Sequence, residues 1–366
     1  MKWLPVQILF LILLLVTKAS SVIAQDTNVL FGSILTDIRA RSGSDLKCGI
    51  LGNTPRMSIP ASVGTSQYEG FDVDICRAIA AAISGDATAV NFVVVPLDQR
   101  NAYIKNRVID ILSAQTTWNF ARDFGEDWSA TFGPIVFYDQ QDILVRVGRN
   151  LETTNDLSGE TICVAASGTT SIQNIEIATR ELEPPVNIPL DYTSTESAWE
   201  AFQNDECDGF TSDSTVLIGN LSVLSQNEQA QYQLMGIELS EEPLAPATHQ
   251  GDQQFADIAR TVIYGLYTAE ALGISRTTVG TYITNIENGT QTNPDIIQFL
   301  GKNDNDNTIT IGERLGLQSD FMVSVISRVG NYADIYNEHF ANIPGMERDR
   351  NRLWIDGGLL YAPPWR

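Results

Sequence analysis

The chain has 366 residues and a formal net charge of −22 at pH 7, with 45 acidic and 23 basic residues. So acidic a surface argues against nucleic acid and anionic membrane surfaces as partners. The apolar fraction of 43% can build a sizeable core, and the length is enough for two domains of ordinary size.

Residues 1–24 have the pattern of a targeting segment. Lys2 supplies a positive start, residues 4–16 form an apolar run with a single amide, and the segment ends at Ala24. This pattern predicts a secretory signal peptide that is cleaved before Gln25. The run is shorter than the roughly 20 apolar residues of a membrane span, so we expect a soluble, exported mature protein.

Four cysteines in an exported chain indicate disulfides, because the compartment beyond the membrane is oxidising. Four cysteines allow three pairings, and their spacing alone does not choose among them. A zinc site is the alternative, but the sequence has no Cys-x-x-Cys pair and only two histidines, His249 and His339. The four cysteines are Cys48, Cys76, Cys163 and Cys207.

An internal repeat divides these cysteines between two halves. Each half has the pattern strand, helix, strand, helix, strand, which is typical of a parallel sheet covered by helices. Because each half contains two cysteines, we pair Cys48 with Cys76 and Cys163 with Cys207. The predicted strands are residues 46–51, 91–96 and 109–114 in the first half and 161–166, 187–192 and 208–212 in the second.

Apolar residues at helical spacing predict a helix over residues 73–84 and another over 255–272. In the second half, Thr193 and Glu196 predict a capping box at a helix start. Residues 301–308, GKNDNDNT, are predicted to form a surface loop, because no frame matches a calcium-binding loop.

The stretch 108–123, VIDILSAQTTWNFARD, combines a short apolar strand, a polar turn and one arginine. Arg122 offers a planar fork of donors that fits a carboxylate with two parallel hydrogen bonds. The stretch therefore predicts a carboxylate-binding device; the alternative is that Arg122 pairs with Asp123 or Asp127 on the surface. Side chains that can donate to a second small polar group come before it: Ser113, Gln115, Thr116 and Thr117.

Two successive α/β units leave a cleft between them, and ligands of open α/β sheets lie at the carboxyl ends of the strands. The turn 167–170, Ser-Gly-Thr-Thr, opens a helix there and predicts an anion site; a plain N-cap is the alternative. Asp213 follows another strand and either meets a ligand ammonium or caps the next helix. Together these groups match a zwitterion, with its carboxylate on Arg122 and Thr170 and its ammonium on Asp213.

Several motifs extend over nearly all of the mature chain. They are GFDVDICRAIAAAI (70–83), DILSAQTTWNFARD (110–123), SGTT (167–170), CDGFTSD (207–213), EEPLAPATHQGD (241–252), VGNYADIY (329–336) and LWIDGGLLYAPPWR (353–366). With these motifs the chain resembles the periplasmic solute-binding proteins of ABC transporters, in the polar amino-acid group and its general L-amino-acid-binding branch. The first two motifs indicate the group, and the GGL-x-YAPP ending indicates the branch.

The resemblance implies an α/β fold of the two-lobe, type II periplasmic-binding-protein class. Each lobe would be a mixed, mostly parallel sheet flanked by helices, and two strands would form the hinge. Lobe 2 would be an insertion at residues 145–237 between the two parts of lobe 1, residues 25–144 and 238–366. The two lobes would close on the ligand.

The resemblance also implies roles for individual residues. Thr117, Arg122 and Thr170 would hold the ligand carboxylate, and Asp213 would take the α-ammonium. The backbone near Ala114 would contribute as well.

Thr169 of the predicted anion turn belongs to the same implied site. Many relatives present an aromatic residue after the first strand to cover the ligand side chain. Here Met57 takes that place, and methionine adapts to varied shapes, which leaves a broad pocket. Arg56 beside it either selects acidic side chains or points to water.

We expect a binding protein that delivers L-amino acids to the membrane permease subunits of an ABC transporter. It would be a periplasmic monomer without a cofactor or metal. An enzyme on the same scaffold is the first alternative, such as a cyclohexadienyl dehydratase or an exported lytic enzyme. An enzyme needs a tuned acid or base beside the ligand, whereas the predicted cleft residues are mostly donors. A receptor's sensing domain is the second alternative, and no apolar stretch after residue 24 is long enough to span a membrane.

Overall fold

The computed structural model describes residues 33–165, 169–302 and 309–366. The predicted signal peptide, its cleavage site, Ser167 and Gly168 of the predicted anion turn, and residues 303–308 of the predicted surface loop lie outside the described residues.

The described residues contain twelve strands that are joined mainly by helices. The strands are β1 (Leu46–Ile50), β2 (Ile59–Pro60), β3 (Tyr68–Glu69), β4 (Val90–Val94), β5 (Ile111–Leu112), β6 (Ala130–Phe132), β7 (Phe137–Arg146), β8 (Ile162–Cys163), β9 (Gly209–Asp213), β10 (Tyr232–Leu234), β11 (Ser240–Leu244) and β12 (Ala247–His249).

The α-helices are interspersed among these strands as far as β12 and then follow one another toward the end of the chain. They are α1 (Ser33–Ala40), α2 (Phe71–Ser84), α3 (Arg100–Lys105), α4 (Phe120–Phe124), α5 (Ser171–Thr179), α6 (Thr195–Gln203), α7 (Ser214–Ser222), α8 (Gln226–Gln229), α9 (Gln253–Ala271), α10 (Val279–Glu287), α11 (Pro294–Phe299), α12 (Ile311–Leu315), α13 (Phe321–Arg328) and α14 (Tyr332–Phe340).

Two mixed five-stranded sheets form the two lobes. In the first sheet the spatial order is β4-β1-β5-β12-β6, with β1 parallel to β4 and β5, and β12 antiparallel to β5 and β6. In the second, β7 pairs with β9, β10 and β11, and β8 pairs in parallel with β9. This is the predicted α/β class, with helices packed on each sheet.

The chain passes between the lobes along β7 and β11. These two strands pair antiparallel from Gln141 with Ser240 to Phe137 with Leu244. An isolated bridge joins Thr117 of lobe 1 to Leu244, and Trp118 N donates to the carbonyl of Pro243 at 2.8 Å. The polar turn after β5 is therefore held directly against a crossing strand.

Helix α2 forms the centre of the largest core, as its apolar spacing predicts. Its N-terminal Phe71 is fully buried and makes edge contacts with Phe137 and Tyr332, at centroid distances of 5.7 and 5.9 Å. The C-terminal helices α13 and α14 pack on α2, so the last part of the chain completes lobe 1. Among the described residues, no helix is both long and apolar enough to cross a membrane.

Two local predictions for the second half are wrong. Residues 187–192 do not form a strand, and Asn187 makes only an isolated bridge with Thr161. Three prolines in residues 184–189 remove backbone donors, which limits strand pairing. The capping box of α6 is formed by Ser194 and Ser197, because Ser194 has the extended backbone that an N-cap needs.

Both predicted disulfides are confirmed. Cys48 on β1 is bonded to Cys76 on α2, and Cys163 on β8 is bonded to Cys207 just before β9. The two bonds close loops with sequence separations of 28 and 44 residues. Each bond therefore lies within one lobe and ties a strand to another part of the same sheet or to its covering helix.

Removing either disulfide should destabilise the protein by about 3 to 4 kcal/mol, because each bond restricts the unfolded chain. We expect urea denaturation of the Cys48→Ala/Cys76→Ala and Cys163→Ala/Cys207→Ala variants to show this loss. Non-reducing peptide mapping of the wild type provides the control. A peptide that joins Cys76 to Cys163, or unchanged unfolding midpoints in both variants, would contradict the assignment.

Candidate functional site

A narrow, partly open cavity lies in the cleft between the two lobes. Both lobes contribute to its wall, and five of the predicted site residues lie there together. Those five are Thr117 and Arg122 from lobe 1, and Thr169, Thr170 and Asp213 from lobe 2. Residues that are separate in sequence thus meet at the carboxyl ends of the strands of both sheets.

Arg122 is held inside the cleft and is only 8% exposed. It lies on the short helix α4, whose N-cap Asn119 accepts a hydrogen bond from Arg122 N. Its Nη1 donates to the carbonyl of Thr117 at 2.9 Å, and its guanidinium lies 5.2 Å from the ring centroid of Trp128. The alternative of a surface ion pair with Asp123 or Asp127 is therefore wrong.

Two opposing effects in the cleft shift the pKa of Arg122. Burial lowers the pKa of Arg122, while the nearby carboxylates of Glu242 and Asp213 raise it. An arginine remains cationic under such conditions. The side chain therefore presents a positive charge to the cavity.

Thr170 and Thr169 precede helix α5 and face the cavity from lobe 2. Thr170 occupies the N-cap position, but its backbone is helical and its hydroxyl lies 3.3 Å from a carboxylate oxygen of Glu242. Thr169 Oγ1 donates to the carbonyl of Ala165 at 3.0 Å. The plain N-cap alternative does not describe Thr170, whose side chain contacts Glu242 on the crossing strand β11 instead.

Asp213 ends β9 and lines the cavity at the start of α7. Its side chain makes no capping hydrogen bond within the part of the chain that the structure describes. Burial raises the pKa of Asp213 well above its usual value, and the carboxylates of Asp139 and Glu242 raise it further. Arg100 and Arg122 oppose this effect. A cation placed beside Asp213 would stabilise its ionised form and lower its pKa.

Glu242 is a buried carboxylate that the sequence reasoning did not assign. It lies on β11, and Thr117 Oγ1 donates to it in a short hydrogen bond. Asn174 Nδ2 donates to it at 2.9 Å and Ser240 Oγ at 2.6 Å, while Thr170 Oγ1 approaches at 3.3 Å. The carboxylate of Glu242 thus accepts hydrogen bonds from both lobes and from its own strand.

Arg100 is a second buried arginine in the cavity wall that the sequence reasoning missed. It opens α3, and its Nη1 donates to the carbonyls of Ala114 and Gln115 at 3.2 and 3.3 Å. Burial lowers the pKa of Arg100 to about 9, Arg122 contributes to the lowering, and Asp213 and Asp72 oppose it. Its position after the second strand of the sheet, at the carboxyl edge, is the only sequence signal that could have found it.

Met57 does not cover the cavity, and this prediction is wrong. The backbone turns back after β1, with Ser58 N donating to the carbonyl of Thr54 at 2.8 Å. This turn directs Met57 into the core of lobe 1, where it is 1% exposed. Leu51, immediately after β1, lines the cavity.

Two other residues of the predicted site have different surroundings. Arg56 does not line this cavity; it is half-buried, and its Nε donates to Ser222 Oγ of lobe 2 at 3.2 Å. Ala114 is buried behind the cavity wall, and its carbonyl accepts hydrogen bonds from Arg100 and Thr116. Its contribution to a ligand stays a prediction.

Comparison with known proteins gives consistent matches over the whole molecule. Residues 46–341 match the bacterial extracellular solute-binding proteins, family 3. The general L-amino acid-binding periplasmic protein AapJ of Rhizobium johnstonii is 33% identical over 349 residues, covering 95% of this chain and 97% of that protein. The glutamate/glutamine/aspartate/asparagine-binding protein BztA of Rhodobacter capsulatus is 30% identical over 338 residues, covering 91% and 94%.

A solved structure shares the fold as well. It is an ABC transporter / periplasmic binding protein from Brucella ovis with glutathione bound, which superposes with a TM-score of 0.82 at 29% identity. The superposition covers 92% of this chain and all of that chain. Sequence match, end-to-end relatives and two-lobe architecture agree, and the chain belongs to family 3 of the bacterial extracellular solute-binding proteins.

Proposed function

We propose that this protein binds L-amino acids in the interlobe cavity and delivers them to the permease subunits of an ABC transporter. The observation that carries the proposal is that Arg122 and Asp213 line the same interlobe cavity. An α-amino acid has a carboxylate for the arginine and an ammonium for the aspartate, so both charges would be paired at once.

The hydrogen bonds of Glu242 refine how the carboxylate would be held. The hydroxyls of Thr117 and Thr170 point to Glu242, so their protons are directed away from the ligand. Other donor groups on the cavity wall include the guanidinium groups of Arg122 and Arg100 and the backbone N–H groups at the start of α5. A helix start carries N–H groups without intrahelical partners and favours an anion.

Related proteins support this proposal. AapJ and BztA are named as binding proteins for amino acids, and neither name describes an enzyme. The Brucella ovis protein holds glutathione, whose γ-glutamyl end carries an α-carboxylate and an α-ammonium on one carbon. We therefore assign no catalytic residue and favour binding over an enzyme such as a cyclohexadienyl dehydratase.

We also propose the location and domain boundaries that this role requires. The protein would be a periplasmic monomer after cleavage at Ala24. Lobe 1 would comprise residues 25–144 and 238–366, and lobe 2 residues 145–237. Contacts across the cleft, such as Arg56 with Ser222 and Pro55 against Gly219, support a pair of lobes that can close on each other.

A thermal-shift screen of the twenty L-amino acids and glutathione tests the proposed function directly. A ligand present at 100 times its Kd should stabilise the protein by about 2.7 kcal/mol. In Arg122→Ala, calorimetry should show a loss of about 2 to 5 kcal/mol of binding free energy, or roughly 30-fold to several thousand-fold in Kd. Arg122→Lys should also bind weakly, because an ammonium lacks the bidentate fork.

Arg180→Ala is the matched control, because Arg180 is an exposed arginine of lobe 2 whose ion-pair partner, Glu181, is also exposed. It should bind like the wild type. The proposed function fails if no ligand of the screen stabilises the wild type, and the carboxylate assignment fails if Arg122→Ala keeps the wild-type Kd.

Asp213→Asn distinguishes an amino-acid site from a general carboxylate site. The substitution keeps the size of the side chain and removes its charge, so we expect an L-amino acid to lose about 2 kcal/mol or more of binding free energy. The matching 2-hydroxy acid should bind the wild type weakly, because Asp213 would be buried without a cationic partner. It should lose little or even gain in the variant. Equal losses for both ligands, measured by calorimetry, would mean that Asp213 does not contact the ammonium.

Binding should also release a proton from Asp213. The pKa of Asp213 is raised in the ligand-free cleft, and an ammonium beside it would lower that pKa. Between the two pKa values the free protein is protonated and the complex is not, so affinity should increase as pH rises through this window. Calorimetry in buffers of different ionisation enthalpy measures the released proton. Asp213→Asn should abolish it, and proton uptake by the wild type would contradict the assignment.

A further inference from the structure

The side-chain oxygen of Gln115 is a buried hydrogen-bond acceptor for which the described residues provide no donor. Its Oε1 has no hydrogen-bond partner among the described residues, although the residue is only 6% exposed and lines the interlobe cavity. A buried acceptor without a donor costs free energy. The position of this oxygen therefore indicates that a donor from a bound molecule belongs beside it.

Lobe 1 holds Gln115 in an unusual backbone conformation. Its φ of 43° lies in the left-handed region, which is unfavourable for a residue with a Cβ. Asp72 accepts a hydrogen bond from Gln115 N at 3.2 Å, and Arg100 Nη1 donates to the Gln115 carbonyl at 3.3 Å. These two buried side chains fix the backbone from which the amide extends.

The other end of the amide contacts lobe 2. Gln115 Nε2 donates to Thr215 Oγ1 at 3.0 Å, across the cleft. Thr215 lies in the first turn of α7 and is 1% exposed. Its hydroxyl donates in turn to Asp139 Oδ2 on the crossing strand β7. A continuous series of side chains thus connects the cavity to the hinge.

The hydrogen bonds of Asp139 determine which way the amide faces. Asp139 Oδ1 accepts from Gln140 N at 2.9 Å, and Oδ2 accepts from Thr215 N at 3.3 Å. Both oxygens therefore act as acceptors, and the single hydroxyl proton of Thr215 goes to Asp139. Only lone pairs of Thr215 remain for Gln115, so the NH₂ group must face Thr215 and the carbonyl oxygen must face the cavity.

We propose that Gln115 couples ligand binding to lobe closure. Its Oε1 accepts a hydrogen bond from the bound ligand, while its Nε2 holds Thr215 and, through Thr215, the hinge residue Asp139. The identity of the donor rests on the proposed function: it is the ammonium of an L-amino acid, which has three N–H groups to share between Asp213 and Gln115. Thr215 is a positioning residue, because it acts on the ligand only through Gln115.

Thr215→Val tests the coupling, because valine keeps the shape of threonine and removes the hydroxyl. Calorimetry with the best ligand of the screen should show binding weakened about threefold to tenfold, the effect of one net hydrogen bond. The loss should appear in a faster dissociation rate. Small-angle scattering should show a smaller ligand-induced decrease in radius of gyration than in the wild type. Gln115→Met should weaken binding further, and the double variant should lose less than the sum of the single losses.

Two variants serve as controls. Thr179→Val is the same substitution at a buried threonine of lobe 2 whose hydroxyl bonds within its own helix, and it should bind like the wild type. Thr215→Ser keeps the hydroxyl and should restore wild-type binding. The coupling is wrong if Thr215→Val keeps the wild-type affinity and compaction, if Thr215→Ser is as weak as Thr215→Val, or if the losses at Gln115 and Thr215 simply add. A wild type that binds no amino acid would overturn the proposed function instead, and the donor assigned here with it.

Discussion

The closed cleft depends on one buried carboxylate, that of Glu242. Lobe 1 donates to it from Thr117, lobe 2 from Asn174 and Thr170, and the crossing strand from Ser240. A buried carboxylate is costly unless its oxygens are hydrogen-bonded, and this set of donors satisfies them only when the lobes are together. Opening the cleft exposes Glu242 to water, which can replace the lost donors. The position of the lobes therefore determines whether Glu242 is bonded to protein donors or to water.

The charges around the cavity are unequal, and the inequality favours a ligand of mixed charge. Arg100, Arg122 and Asp213 line the cavity, and three further buried carboxylates interact with these charges from behind its wall: Asp72, Asp139 and Glu242. Burial raises the pKa of Asp72 to about 7 and that of Asp139 to about 6, because desolvation penalises the charged form of each carboxyl group. A simple anion would increase the imbalance. A zwitterion adds no net charge, and its proposed ammonium position is beside Asp213, the carboxylate that lines the cavity among the described residues.

The fold and the placement of Arg122 and Asp213 on one cavity could be predicted because their signals are local in the sequence. The pairing of cysteines followed from the repeat, and Arg122 and Asp213 followed from strand ends. Met57 was placed wrongly because a turn of a few residues decided whether its side chain faced the cleft or the core, and periodicity does not report such a turn. Glu242 was missed because its importance comes from donors in three separate segments. The predicted strand 187–192 does not form for a reason visible in the sequence, since Pro189 within it and two prolines just before it oppose strand pairing.

Residues 348–351, which follow the part of the chain that matches the family, contact the crossing strands on the side away from the cleft. Asn351 accepts from Tyr138 N and donates to the Tyr138 carbonyl, at 2.6 and 3.0 Å, and so pairs with β7 as a neighbouring strand would. Arg350 forms an ion pair with Glu238, just before β11. Arg348, two residues earlier, lies over two tyrosine rings of lobe 1 and anchors the segment there. The crossing strands thus have polar contacts on both sides. On one side Glu242 and Asp139 accept hydrogen bonds from residues of the lobes, and on the other side the C-terminal segment contacts the strands. Any change in the angle between the lobes would therefore have to break or exchange specific hydrogen bonds along the crossing strands.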